Sequence, residues 1–153
     1  MADVKKTCTD SQTSGMAGEF LVAGKLFKRG LQVSVTMGNA KAIDLLVHNA
    51  KTDNTFEVQV KTVRCKNCFL IHKEDIHSKH IYVFVLLNHI DQNEEFFILR
   101  GETILKDINH FFGSSYSREK PSTMPAINYG TLKEYKDNWK LFDLEVSLKD
   151  GER

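Results

Sequence analysis

The stretch Thr55 to Thr62, TFEVQVKT, sets Phe56, Val58 and Val60 in alternation with Glu57, Gln59 and Lys61. Strict alternation is the pattern of a half-buried strand, whose side chains point to opposite faces in turn. One face is therefore apolar, and the other presents an acid, an amide and an amine in a row. Upstream, Asp44 stands between Ile43 and Leu45, where a charge is costly unless it has a task or a partner. Glu19 lies within GMAGEFLVAGKL, among small residues that let a helix approach a sheet closely. Two carboxylates, an amide oxygen and an ammonium can bind a hard divalent cation, Mg2+ or Mn2+, and support hydrolysis. In such a set Asp44 is the central ligand, joined by the Gln59 amide oxygen and the Val60 backbone carbonyl. Glu19 binds directly or through a water. Lys61 orients the attacking water and offsets negative charge growing on a phosphate.

The elements that must position these groups follow from the hydrophobic pattern. Met16, Phe20, Ala23 and Phe27 recur at helical spacing, which predicts a helix over 12–29 closed by Gly30. LQVSV (31–35), AIDLLV (42–47) and TFEVQVKT (55–62) read as a three-strand antiparallel meander. The turn-forming HNAKTDN joins the last two strands and places Asp44 toward Gln59 and Lys61. IYVFVLL (81–87) is a continuous apolar run suited to a strand buried on both faces, and EEFFILR (94–100) is a candidate partner for it. ETILKDINHFF (102–112) and TLKEYKDNWKLF (131–142) read as amphipathic helices around a loop that holds both prolines. The predicted architecture is α/β, with a central mixed sheet flanked by helices. Residues 1–11 are expected to be a flexible tail and 12–153 a single domain.

An acid in the first helix, an aspartate in the second strand and Gln59-Val60-Lys61 in the third together resemble the PD-(D/E)XK nuclease superfamily. The resemblance implies a restriction-endonuclease-like αβββαβ core over roughly residues 12–100. It also implies a Mg2+- or Mn2+-dependent endonuclease acting on DNA, with Glu19, Asp44, Gln59 and Lys61 as the catalytic set. Ile43 replaces the proline of the motif, and Gln59 replaces its usual acid, leaving one negative charge fewer around the ion. Glu57, one step further out on the same face, is the second choice as a ligand that restores this charge. The commoner reading of such a residue is a solvated carboxylate at a strand end.

The rival readings are simpler. Glu19 and Lys61 could form a plain ion pair over a polar sheet face, or the fold could serve as a non-catalytic nucleic-acid-binding or scaffold module. CKNC (65–68) lacks a second pair of matching spacing, so Cys65 and Cys68 are expected to be free thiols rather than zinc ligands. His77 and His80 are expected to be exposed. Residues 61–79 hold five basic side chains against two acids. Of these, Arg64, Lys66, Lys73 and Lys79 are candidates to hold phosphates. Tyr135, Trp139 and Phe142 are expected in the core.

Composition narrows the class without choosing the function. At 153 residues, 41% of them apolar, the chain can bury a core and has no need of disorder. No apolar run approaches a membrane span, the N-terminal residues lack a secretory signal pattern, and three cysteines make no disulfide framework. A cytoplasmic setting is expected. A net charge of +1 means that any nucleic-acid surface is a local patch. DNA is the expected substrate, and RNA stays open because no pattern here reads a 2′-hydroxyl. One site per chain makes double-strand cleavage a matter for a homodimer or for two encounters.

Overall fold

The computed structural model describes residues 8–37, 43–117 and 119–144. Five strands form one mixed sheet: β1 (Gln32–Val35), β2 (Leu45–Asn49), β3 (Asn54–Val63), β5 (Ile81–Leu86) and β6 (Glu95–Arg100), in that spatial order. Strands β1, β2 and β3 form the antiparallel meander expected from the sequence. β5 then joins β3 in parallel, with Val58 beside Ile81 and Lys61 beside Phe84, and β6 closes the sheet antiparallel to β5. Every residue of β5 is buried, because both of its faces are covered. Ile81, Val83 and Val85 pack toward the first helix, and Tyr82, Phe84 and Leu86 toward the opposite layer.

Helix α1 (Cys8–Lys28) lies across the meander, and it begins inside the stretch expected to be a tail. Its buried face is not the one predicted. Of Met16, Phe20, Ala23 and Phe27 only Ala23 is buried; Phe20 and Phe27 are 53% and 55% exposed. The packed row is Ser14, Gly18, Val22 and Leu26, four residues apart. Small residues decide the choice, since only they let the helix approach β3. A Cβ at Gly18 would sit 1.9 Å from Thr62 Oγ1 and 3.0 Å from Thr62 Cβ. The buried Thr62 hydroxyl also has no hydrogen-bond partner among the described residues. Gly18→Ala should therefore lower thermal stability, an overpacking cost of about 1–3 kcal/mol reduced by alanine's helix preference of about 1 kcal/mol. Adding Thr62→Ala should restore part of the loss. Additive effects of the two changes would contradict the close approach.

The far layer covers β5, β6 and the end of β3 that carries Val63. It contains β4 (Phe69–Leu70) paired with β7 (Ala126–Ile127), and helices α2 (Gly101–Lys106) and α3 (Ile108–Phe112). The single helix predicted over 102–112 is broken at Asp107, whose backbone leaves the helical region. Its side chain caps α3 by accepting from the His110 amide at 3.2 Å, a preferred use of aspartate. The segment predicted as a helix over 131–142 is two 3-10 turns, Tyr129–Tyr135 and Trp139–Asp143. Asp137 separates them with φ of 53°, and its N–H donates to the Phe96 carbonyl at 2.8 Å. This strap carries Trp139 and Phe142 into the core, as expected. The crossover between β3 and β5 contains β4 and one 3-10 turn, Lys73–Asp75, with no full helix.

Glu95 ties the strap to the sheet. Its carboxylate accepts from Asn88 Nδ2 and from Lys136 Nζ, each at 3.1 Å. The Asn88 bond outweighs the cost of burial, Lys136 adds to it, and the carboxyl is held below its ordinary value of 4.5. A depressed carboxyl stabilises the fold fully above the ordinary range, and this is lost as pH falls through the lowered value. Glu95→Gln should therefore reduce stability at neutral pH and flatten the acid side of a plot of Tm against pH. An unchanged acid slope would contradict this role.

Candidate active site

Asp44 is fixed where the sheet gives out. It stands at the entry to β2 rather than mid-strand, one residue before Leu45, which pairs with Val58. Its N–H donates to the Val58 carbonyl at 2.9 Å, and its own carbonyl accepts from the Thr36 amide at 2.9 Å and the Thr36 hydroxyl at 3.0 Å. The Thr36 hydroxyl also bonds the Ile43 carbonyl. Beyond this point the ladder offers Val60 no backbone acceptor from β2. The Asp44 carboxylate takes that place: Val60 N–H donates to Oδ2 at 2.7 Å, a short charge-assisted bond. Only Oδ2 of the two carboxylate oxygens is engaged among the described residues.

Glu19 follows Gly18 on α1, so the close helix–sheet approach is what delivers it. Burial, and after it the negative charge of Asp44, push its carboxyl above the ordinary value of 4.5. Just above that value the folded protein keeps a proton that the unfolded chain has lost, so stability falls as pH rises through this window. Two half-buried carboxylates within electrostatic reach disfavour each other's charge, and a cation between them removes that cost. A strand residue points its N–H and C=O to the same edge, so the Val60 carbonyl faces Asp44 along with its amide. This donor set fits a hard divalent cation: carboxylate oxygens, a backbone carbonyl and an amide oxygen. Among the described residues no three His, Cys, Asp or Glu side chains are grouped to hold a metal. The fit therefore depends on Gln59 and Val60.

Gln59 and Lys61 project from the face of β3 opposite to Val58 and Val60, and so away from α1. The two halves of the predicted set thus meet only at the Asp44 edge. Gln59 is buried, 5% exposed, and its Nε2 lies 3.3 Å from His80 Nδ1. Lys61 is half-buried and borders a cavity of about 200 Å3, with His72, Asp75 and Thr123 on its wall. It is not turned into the apolar core. Glu57 is exposed, as expected of a solvated carboxylate, but it also has a partner: its Oε2 lies 2.6 Å from His80 Nε2. His80, expected to be exposed, is 8% exposed, and its ring lies 4.6 Å from that of the exposed His77. The sequence signal for His80 was its place one residue before a buried strand, on the same parity as Tyr82. It was legible only once β5 was known to lie parallel to β3.

The proposed phosphate-holding cations do not form one patch. Arg64 and Lys66 follow the end of β3 nearest Lys61, while Lys79 precedes β5 at the level of the start of the buried stretch of β3. Lys73 Nζ lies 4.5 Å over the Tyr116 ring, and Lys66 Nζ 5.7 Å over Tyr129. Cys65 and Cys68 are exposed and outside any disulfide among the described residues. Among the described residues, the face of β1 and β2 turned from α1 is uncovered, and an open depression of about 320 Å3 there is lined in part by Gln32, Ser34, His48 and Thr55.

No protein-family model matches the chain, and no curated protein matches it in sequence. Among solved structures it is similar to a bacterial homing endonuclease, with a TM-score of 0.56 and 13% identity. The match covers 92% of this chain and 99% of that one. At this identity the likeness shows the fold, a mixed five-stranded sheet flanked by helices. No helix among the described residues is long and apolar enough to cross a membrane.

Proposed function

We propose that this chain is a divalent-cation-dependent endonuclease of the PD-(D/E)XK type acting on DNA. The observation that carries the reading is Asp44, a carboxylate locked by its own backbone at the splayed end of two strands. It sits beside Val60 of the Gln-Val-Lys triplet and within the field of Glu19. The fold shared with a homing endonuclease supports it at the level of architecture. Asp44 and Glu19 supply the anionic oxygens for Mg2+ or Mn2+, and Gln59 Oε1 and the Val60 carbonyl the neutral ones. When bound, such an ion lowers the pKa of a water and polarises a phosphoryl oxygen. Lys61 donates from its ammonium to the attacking water and to the phosphate, where negative charge grows. Arg64 and Lys66, at the same end of β3, hold the flanking phosphates. A homodimer would bring two such sites to one duplex.

The test is cleavage of duplex DNA in a Mg2+ and Mn2+ titration. Metal-dependent cleavage that Asp44→Ala and Lys61→Ala each abolish, with the fold intact by circular dichroism, supports the reading. DNA binding that is indifferent to metal and to both substitutions would favour a non-catalytic binding module instead. The observation on that side is that no three His, Cys, Asp or Glu side chains are grouped among the described residues.

A further inference from the structure

A glutamine at a metal site has a difficulty that an acid does not. A carboxylate offers two equivalent oxygens, whereas an amide offers one oxygen and one NH2, which repels a cation. Gln59 can serve only if its amide is held the right way round. Among the described groups, its amide nitrogen meets His80, which in turn meets Glu57.

We propose that the Glu57–His80 pair is a positioning device that fixes the orientation of the Gln59 amide; the inference rests on the cation site proposed above. Glu57 Oε2 lies 2.6 Å from His80 Nε2, and a carboxylate can only accept, so Nε2 carries the proton. With that proton on Nε2, the Nδ1 atom is the ring nitrogen left to accept, as the Gln59 Nε2 beside it requires. Gln59 Nε2 lies 3.3 Å from that atom and donates to it. With the NH2 committed to His80, Oε1 is the end left for the cation. Burial gives the arrangement its force, because Gln59 and His80 are both nearly inaccessible to water and a flipped amide would face the same acceptor with its oxygen. Parallel pairing of β3 with β5 sets the spacing. His80 stands one residue before Ile81, the partner of Val58, and so lies level with Glu57 and within reach of Gln59. Glu57 thus contributes to the site without touching the ion, by holding the imidazole in the one tautomer that orients the amide.

The test reads Mn2+ affinity of the purified chain by titration calorimetry and by loss of the free-Mn2+ electron paramagnetic resonance signal, with cleavage as a second readout. His80→Phe should weaken Mn2+ binding about 10–100-fold, the range typical for loss of a group that orients a metal ligand. In a Gln59→Glu background the same substitution should change affinity by less than about threefold, because a carboxylate needs no orienting. His80→Asn, whose Oδ1 can stand where Nδ1 stood, should rescue binding in the Gln59 chain. His80→Gln, which reaches only the Nε2 place, should not. This last pair keeps the test open if His80→Phe does not fold. Equal losses in both backgrounds would reveal a merely structural role and overturn the proposal. Wild-type affinity in both His80→Phe and His80→Gln would overturn it as well, while leaving the cation site standing. A wild-type chain that binds no Mn2+ would sink both.

Discussion

Asp44→Asn is expected to abolish metal-dependent cleavage while leaving the fold as stable as before. The amide oxygen of asparagine can still accept from Val60 N–H, so the bond that closes the end of the sheet survives in neutral form. The lost charge also relieves Glu19, whose carboxyl is raised by burial and then by Asp44. In EDTA the variant should therefore melt within about 2–4 °C of the wild type, the shift expected of roughly 1 kcal/mol in a chain this size. Asp44→Ala behaves differently. It leaves the Val60 amide without its acceptor, which costs about 1–3 kcal/mol. A large loss of activity with no loss of stability separates a functional carboxylate from a structural one. If Asp44→Asn destabilised the protein as much as Asp44→Ala, the charge would be serving the fold, and the candidate site would lose its central member.

Lys61→Met carries the second large effect. Methionine keeps most of the aliphatic stem beside the cavity that Leu70, Ile71 and His72 also line, and removes only the ammonium. Loss of a donor aimed at developing charge typically lowers turnover about 100- to 1,000-fold. DNA affinity should change little, because one phosphate contact among several is lost. Single-turnover cleavage at saturating enzyme, beside a binding titration in Ca2+, separates the two quantities. A variant that binds DNA poorly but cleaves bound DNA at the wild-type rate would make Lys61 a phosphate anchor instead.

Much of the sheet was legible because alternation and apolar runs are strong local signals. β3 was placed to within a residue at each end, and β5 was recognised from its unbroken apolar run. The face of α1 was not legible from hydrophobicity, because its larger apolar residues recur at helical spacing on the wrong side. Steric access chose the row built around Gly18, and that row matters only once Thr62 is known to lie beneath it. Asp107 and Asp137 broke two predicted helices for a related reason: each side chain or backbone found a better local or strand partner than a helix offered. At the site, the residue types in Glu19, Asp44 and Gln59-Val60-Lys61 were readable from order and spacing. The pairing of Glu57 with His80 was not, because it spans a parallel strand contact that no local pattern records.

The most direct test of the central claim is a crystal of the protein soaked in Mn2+, with data collected at a wavelength that reveals manganese by anomalous scattering. The account predicts one strong peak between the carboxylates of Asp44 and Glu19, within bonding distance of the Asp44 side chain and the Val60 carbonyl. Saturating Mn2+ with no peak at that edge of the sheet, or with manganese held elsewhere on the chain, would contradict it.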